Sequence, residues 1–270
     1  MTRPMQVIAA RELVTVARAR STVLLTVGVL AVTFGVVFAS NSEPDYLPTA
    51  VDLLLPLELL VPAVAIALGY ETITADARRG ELAVLETYPV STWSYVLGIY
   101  LARAIAVAVV VGLPLLLVGI YLAATSPDQP TFLATHHGVD SPVVYLRFLL
   151  LTVSFGVVVL AMALAASALA RSRRSALVAG VVILAFVVIG FDLLIVRGFV
   201  GGRFAPAELT TTLALSPTSA YRGLVFETVL ATATESDLRH GSPVASVLGM
   251  TIWLVGSLVV ATVATARRRR

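Results

Sequence analysis

The sequence contains no cysteine and no lysine. Without cysteine the chain can form no disulfide, thiolate nucleophile, iron–sulfur cluster or cysteine-ligated zinc site. Without lysine it has no phosphate-binding G-x-x-x-x-G-K-[ST] loop, so any ATP hydrolysis must take place on another polypeptide. Charged residues make up only 13% of the 270 residues, about half of their usual share in soluble domains. These shortages argue against a soluble domain and against a nucleotide hydrolase.

Groups for covalent chemistry are also scarce. The three histidines lie outside the strongly apolar stretches, so Ser154 and Ser167 within those stretches have no histidine to activate them. The carboxylates of Asp52, Asp76 and Asp192 are isolated and do not form the aspartate cluster that Mg²⁺-dependent transferases use. The arginines are too scattered for a nucleic-acid surface. We therefore expect neither an enzyme nor a cofactor, metal or nucleic-acid site on this chain.

Long apolar runs dominate the sequence instead. Hydrophobic residues make up 58% of the chain and the mean hydropathy is +0.94. A membrane-spanning helix needs about 20 consecutive apolar residues, and six stretches meet that length. They are residues 22–40, 51–69, 96–121, 143–170, 176–195 and 244–264. The sequence predicts an all-α, multi-pass membrane protein with six transmembrane helices in one domain.

Arginine placement predicts how these helices are oriented. Basic residues in short connections stay on the cytoplasmic side, and alternate connections of this chain carry thirteen arginines against four in the others. Both termini are therefore predicted to be cytoplasmic. The thirteen are Arg3, Arg11, Arg18, Arg20, Arg78, Arg79, Arg171, Arg173, Arg174 and Arg267 to Arg270; the four are Arg197, Arg203, Arg222 and Arg239.

Two predicted cytoplasmic segments have recognisable local patterns. Residues 1–21 form an amphipathic helix in the headgroup plane, equally suited to anchoring the chain and to contacting a partner. Residues 71–94 form a connection with a charged turn, a short helix and a stop at Pro89. Ser91 then caps the third membrane span.

The predicted outer connection is long. It covers residues 196–242 and begins with several glycines. Its later part, from Pro217 to about Thr234, has apolar residues at helical spacing. We expect a helix there that lies on or dips into the outer leaflet.

Glu58 is the ionisable residue that lies deepest in an apolar run. Such charges are costly and often functional. Glu58 could face a substrate path or pair with an arginine, and a purely structural salt bridge is an equal alternative. The other ionisable residues lie near span ends, where snorkelling to the interface is the default. They are Asp52, Arg103, Arg147 and Asp192.

The cytoplasmic connection carries a family resemblance. Residues Asp76 to Ser91 read D-A-R-R-G-E-L-A-V-L-E-T-Y-P-V-S, and Val96-Leu97-Gly98 follow. In order and spacing this stretch resembles the connection between the second and third spans of type-2 ABC exporter permeases. It departs from that pattern at Asp76, Glu81, Thr92 and Ile99.

A second resemblance lies before the last span. Leu215 to Arg222 read L-S-P-T-S-A-Y-R, similar to the Asn-Pro-x-x-x-Tyr/Phe-Arg stretch of one branch of these permeases. That branch includes the membrane subunit of the nitrous-oxide-reductase maturation transporter. Ser216 stands where the branch often has Asn. With the six spans and the amphipathic N-terminal helix, the resemblance covers essentially the whole chain.

The resemblance implies that residues 80–88 form a coupling helix that docks into a groove on a separate cytoplasmic ATPase. Apolar side chains would anchor it, and charged ones would set its register. An ordinary loop helix on the lipid headgroups is the alternative. The implied interface is Asp76, Arg78, Arg79, Gly80, Glu81, Leu82, Leu85, Glu86, Tyr88 and Pro89.

The resemblance further implies a permease subunit of a prokaryotic plasma membrane, paired with a second permease and two ATPase subunits that bind ATP and Mg²⁺. It would export a lipid-like, peptide or drug-like substrate, or transfer mechanical energy to an extracytoplasmic partner. Two rivals remain at this point. One is an ion-coupled carrier or channel with Glu58 as the coupling residue, and the other is a scaffold or sensor without transport.

Overall fold

A computed structural model describes residues 2–40, 45–88, 90–125, 140–203, 209–230 and 242–268. Most of these residues are helical and none of them lies in a strand, which confirms the all-α prediction. Two π-helical turns, Phe186–Gly190 and Phe226–Leu230, join α8 to α9 and extend α11. The helices are α1 (Thr2–Arg18), α2 (Arg20–Ala39), α3 (Tyr46–Gly69), α4 (Thr72–Arg78), α5 (Glu81–Glu86), α6 (Thr92–Thr125), α7 (Pro142–Leu169), α8 (Arg173–Ala185), α9 (Phe191–Val200), α10 (Leu209–Leu213), α11 (Pro217–Val225) and α12 (Pro243–Arg268).

Six helical stretches of the described residues are long and apolar enough to cross a membrane, and they coincide with the six predicted runs. They are α2, α3 with α4, α6, α7, α8 with α9, and α12. Because successive spans alternate in direction, α1, α4, α5 and the end of α12 share one side of the bundle, here called the arginine-rich side. The other side is called the opposite side.

Serine side chains fix where three of the spans begin. Ser141 accepts a hydrogen bond from the Val144 amide at the start of α7. Ser172 forms a reciprocal capping box with Ser175 at the start of α8. The hydroxyl of Ser91 accepts from the Ser94 amide at 3.1 Å, which confirms the predicted cap of the third span. These caps satisfy helix amide groups that have no partner within the helix.

Helix α7 forms the centre of the bundle and contacts α3, α6, α11 and α12. Small residues let the helices approach closely, as is typical inside membranes. A Cβ atom at Gly156 would lie 2.9 Å from Val107 on α6 and 3.0 Å from Val61 on α3. By contrast α2, α9 and α12 expose many large apolar side chains. These side chains are left uncovered by the described part of this chain.

The predicted N-terminal helix is present as α1, and it packs along α6. Val16 on α1 is buried. Gly98 on α6 lies against Ile8, since a Cβ there would come within 2.9 Å of the Ile8 side chain. The helix therefore contacts this chain's own bundle, in addition to any lipid or partner.

The outer connection begins later than predicted, because α9 continues to Val200. Its second helix, α11, is not on the surface. Residues Ala220 and Tyr221 are fully buried, and α11 packs against α7 and α12. Of the two predicted positions, on the leaflet or dipping into it, the structure shows the inward one. Residues 204–208 and 231–241 of this connection lie outside the described residues.

Candidate functional site

The α4–α5 segment (residues 72–88) contains the predicted coupling helix. Its two short helices are joined at Gly80, whose φ is +76°. A residue with a Cβ is strained in this left-handed conformation, whereas glycine adopts it readily. Gly80 therefore sets the turn that separates α5 from α4.

Charged and hydroxyl groups tie this segment to α1 and α6. Arg79 pairs with Asp76 at 2.5 Å and with Glu81 at 2.8 Å. Arg11 on α1 reaches Glu81 at 2.7 Å. The hydroxyl of Tyr95 on α6 donates to Asp76 at 2.6 Å. These five residues, here called the polar cluster, link four helices on the arginine-rich side.

The polar cluster stabilises the charged form of Glu81. The hydrogen bond from Arg11 is the largest cause that lowers the pKa of Glu81, and Arg79 adds to it. Burial acts in the opposite direction but is outweighed. Glu81 is thus a carboxylate at neutral pH and holds both arginines.

Helix α4 is also mounted directly on the end of α7. The hydroxyl of Ser167 accepts hydrogen bonds from the amides of Ile73 and Thr74 at 3.1 and 3.2 Å. Thr74 in turn donates its hydroxyl proton to the Ser167 carbonyl at 2.5 Å. All three residues are buried. The first turn of α4 is therefore fixed to the central helix of the bundle.

The apolar residues of the segment divide between two faces. Leu82 is buried in this chain's own core at 5% exposure, so in this conformation its side chain contacts the bundle. Val84 and Tyr88 are 59% and 61% exposed. Among the described side chains of the segment, these two are its large exposed apolar ones.

The other predicted interface residues have varied positions. Arg78 is half exposed and lies 3.5 Å from Glu71. Leu85 and Glu86 belong to α5, but their side chains lie outside the described residues, as does Pro89. The structure thus brings Asp76, Arg79 and Glu81 into one network and leaves Arg78 outside it.

A second charged site lies deep within the bundle. Glu58 is buried on α3, about 18 Å along the helix from Tyr46. The guanidinium of Arg222 on α11 binds both of its carboxylate oxygens, at 2.7 and 2.5 Å. The sequence placed Arg222 in the outer connection, whereas α11 carries it inward to this pair. The predicted pairing of Glu58 with an arginine is therefore present.

Helix α11 is held at this depth by its other side chains. Tyr221 stacks on Phe155 with ring centroids 4.8 Å apart, and its hydroxyl lies 2.9 Å from the Thr152 hydroxyl. Thr218 donates to the carbonyl of Val187 at 2.7 Å. Stacked rings and buried hydrogen bonds favour one orientation of the helix.

The start of α11 has two further contacts. Ser219 donates to Asp192 at 2.7 Å, and Asp192 lies 3.8 Å from Arg222. The indole of Trp253 on α12 donates to the carbonyl of Leu215 at 2.9 Å. The Leu215–Arg222 motif thus contains the cap and first turns of α11, which lie among α3, α7, α9 and α12.

The remaining ionisable residues near span ends do more than snorkel. Arg103 binds Glu12 on α1 at 2.9 Å and also donates to the carbonyl of Leu68. Asp52 accepts from the Ser40 hydroxyl at 2.5 Å. Arg147 donates to the carbonyl of Thr228 at 3.3 Å. Each of these side chains joins two segments of the chain.

Sequence reasoning missed Ser167 and Glu12 as positioning residues. Ser167 entered the sequence interpretation only as a serine without an activating histidine, and Glu12 did not enter it. Their partners lie 93 and 91 residues away in the chain. No local spacing could have indicated either contact. Among the described residues, no group of three or more histidines, aspartates or glutamates could hold a metal ion.

Comparison with protein families gives a match over nearly the whole chain. Residues 6–268 match the family described as ABC-2 family transporter protein. The match includes the α4–α5 segment, α11 and the six spans. It agrees with the resemblance of the Asp76–Ser91 stretch.

A curated relative supports the same assignment. The chain is 30% identical over 205 residues to the probable ABC transporter permease protein NosY of Pseudomonas aeruginosa. The aligned region covers 74% of this chain and 70% of that protein. With six apolar helices, such a chain is a multi-pass protein of a prokaryotic plasma membrane. The chain therefore belongs to the ABC-2 family of transporter membrane proteins and is an ABC transporter permease.

Proposed function

We propose that this permease is the membrane subunit of an ATP-driven exporter and that a separate ATPase subunit binds its α4–α5 segment. The observation that carries the proposal is how this segment is attached to the bundle. One face of the segment is exposed, and its other face is hydrogen-bonded to α7. A partner that moves the segment would move the bundle.

The exposed surface has the composition of a small protein interface. Val84 and Tyr88 supply the apolar centre, and Arg78 and Arg79 are half exposed beside it. Apolar or aromatic centres with a polar rim are typical of specific protein contacts. The resemblance implied Leu82 as an interface residue, but Leu82 is buried in the bundle. The proposed apolar centre therefore uses the exposed Val84 in its place.

Three connections would transmit a displacement. Ser167 joins α4 to α7, the Tyr95–Asp76 hydrogen bond joins α4 to α6, and Arg11 joins α5 to α1. Side-chain contacts of this kind make the segment and the three helices move as one body. Closure of an ATPase pair would then reorient the bundle and expose the substrate path on the opposite side.

The proposed assembly contains two permeases and two ATPase subunits, with ATP and Mg²⁺ bound on the ATPase. This chain supplies no covalent chemistry. The family supports this arrangement, and the exporter direction follows from the resemblance of the Asp76–Ser91 stretch to exporter permeases. An extracytoplasmic partner remains compatible with it.

The ion-coupled carrier is less well supported. A coupling carboxyl must gain and lose its ion during each cycle, but both oxygens of Glu58 are occupied by Arg222. Arginine stays protonated in proteins. The pair is therefore suited to hold α11 in place rather than to carry a proton.

The direct test is co-purification from native membranes in mild detergent. We expect a stoichiometric ATPase with a phosphate-binding loop to accompany the wild-type chain. Val84→Asp and Tyr88→Asp place a charge in the proposed apolar centre and should lower the retained ATPase about tenfold. Val200→Asp is the matched control, because Val200 is 85% exposed on the opposite side.

The control variant should retain the ATPase at the wild-type level. Equal retention by Val84→Asp, Tyr88→Asp and Val200→Asp would place the ATPase contact elsewhere. A wild-type chain that purifies alone and supports ion-driven flux would instead favour the carrier, and Glu58→Gln would then be the next variant.

A further inference from the structure

A groove of about 760 Å³ runs beside the α4–α5 segment on the arginine-rich side. One wall is formed by the segment itself, and the others by the ends of α7 and α12. Clefts that bind small molecules commonly have volumes of about 300–1,000 Å³. The lining residues that carry the argument are Gly80, Ala83, Arg171, Val260, Arg267 and Arg268.

The charge in this groove is of one sign. Arg171, Arg267 and Arg268 line it, and none of the described lining residues is acidic. In the part of the chain that the structure describes, no carboxylate lies within salt-bridge distance of these three arginines. Arg79, Arg103 and Arg222 differ from the groove arginines, because each of them pairs with an acid.

The part of the groove wall that the valines of α12 form is apolar, and it lies deeper in the membrane than the arginines. Val259, Val260 and Val263 on α12 are each between 44% and 47% exposed. From Val259 to Arg268 the helix rises by about 14 Å. Since α12 crosses the membrane, its terminal arginines mark the headgroup level and the valines face the hydrocarbon. The groove therefore extends from the headgroup region into the acyl-chain region.

We propose that an anionic phospholipid of the leaflet on the arginine-rich side binds in this groove, with its phosphate on Arg171, Arg267 and Arg268 and an acyl chain along the α12 valines. Basic pockets between membrane helices recognise anionic lipids in this way. A soluble anion would satisfy the arginines but leave the valine wall uncovered. The lipid would contact Gly80 and Ala83, and so the α4–α5 segment.

This inference does not depend on the proposed ATPase. It is tested on the purified full chain by native mass spectrometry in detergent containing phosphatidylglycerol or phosphatidylcholine. The wild-type chain should retain phosphatidylglycerol preferentially. The double variant Arg171→Gln/Arg267→Gln should lower that preference about thirtyfold, because each arginine near an anionic headgroup contributes a factor of about five.

The matched control is Arg18→Gln/Arg20→Gln. It removes two exposed arginines from the same side of the bundle but outside the groove. The control should keep the wild-type preference. If the groove double variant fails to fold, Ala83→Glu serves as a second variant, because it places a carboxylate beside the arginines and should also repel the lipid.

Two further experiments distinguish the lipid from the other possible occupants of the groove, a soluble anion and a second permease. Inorganic phosphate should not displace the bound phosphatidylglycerol; complete displacement would show that the site takes a soluble anion. The chain has no cysteine, so Val260→Cys provides a single thiol. Disulfide cross-linking between two copies through Val260→Cys would show that a second permease covers the groove and would overturn the proposal, as would equal retention of both lipids.

Discussion

At the scale of single residues, Glu58 and Arg222 show how the bundle holds charge at depth. Glu58 keeps only 6% of its side chain exposed, whereas Arg222 keeps 38%. Removing one partner of such a pair leaves the other uncompensated, which costs more than removing both. The pair thus makes the position of α11 depend on α3.

A double-mutant cycle measures this dependence. Arg222→Gln leaves Glu58 unpaired and should lower the free energy of unfolding by about 3 kcal/mol, at the low end for buried pairs because Arg222 is partly exposed. Glu58→Gln/Arg222→Gln should be less destabilised than Arg222→Gln alone. The measurement is chemical or thermal unfolding in detergent.

Arg203→Gln is the control for this cycle. Arg203 is exposed after α9 and has no acidic partner among the described residues. It should change stability by less than about 0.5 kcal/mol. If Arg222→Gln behaved like this control, the pair would contribute nothing to the position of α11.

At the scale of elements, hydrogen bonds from α4 to α7 hold the α4–α5 segment against the bundle. Ser167→Ala removes the acceptor of two buried amide protons. An unsatisfied buried donor costs about 1–3 kcal/mol. We therefore expect faster hydrogen exchange in α4 and a loss of stability of that size, measured by exchange mass spectrometry and unfolding.

Ser154→Ala is the matched control on the same helix. Ser154 is exposed and donates only to the carbonyl of Leu150, one turn earlier in α7. Its loss should leave exchange in α4 unchanged. Equal exchange in the two serine variants would contradict the role assigned to Ser167.

The contact between α1 and α5 should depend on pH. The pKa of Glu81 is lowered by Arg11, so in the folded chain it lies below the value of an unfolded glutamate, about 4.3. The stabilisation is complete above that ordinary value and is lost as the pH falls through the lowered one. Spin labels at Val14→Cys and Ala83→Cys should report a constant distance from pH 7 to about 5 and a longer one below about pH 4.

Glu81→Gln provides the comparison for this experiment. It cannot form the charged contact, so its label distance should be independent of pH over the same range. A wild-type distance that changed above pH 5 would show that another group controls the contact.

The elements differ in how far the sequence could predict them. The span ends follow from local signals, as the hydroxyl of Ser91 at the start of α6 illustrates. The depth of α11 does not, because it depends on Thr152, Phe155 and Val187, which lie in other helices. The burial of Leu82 likewise depends on packing that α5 alone does not encode.

At the scale of the whole molecule, six spans and a one-sided arginine distribution define a protein with two different faces. The arginine-rich side carries α1, the α4–α5 segment and the groove lined by Arg171, Arg267 and Arg268. The opposite side carries the connection from which α11 enters the bundle. Basic residues are retained in the cytoplasm during insertion. The side with α4 and α5 is therefore expected to face the ATP-containing compartment.

This orientation is open to direct measurement, since the wild-type chain has no cysteine. Arg174→Cys and Arg203→Cys each replace an exposed arginine, one on each side. A membrane-impermeant maleimide should label only Arg203→Cys in intact cells, and Arg174→Cys after permeabilisation. The reverse pattern would invert the topology and remove the α4–α5 segment from the reach of a cytoplasmic ATPase.

The site on the arginine-rich side was more predictable than the buried one. Asp76, Arg79 and Glu81 are close in sequence and meet through a turn that Gly80 forms. The partner of Glu58 was not identifiable, because any of several arginines had the same charge. Only the fold selects Arg222 from among them.

The salt bridge between Glu58 and Arg222 can form only after a delay during synthesis of the chain. The two residues are 164 positions apart. A ribosome adds about 5–20 residues per second, so α3 is made on the order of 10 s before α11. During that interval the nascent chain carries a carboxylate that its own later residues have yet to neutralise. Quality control that recognises unpaired intramembrane charge would therefore distinguish an unfinished permease from a complete one.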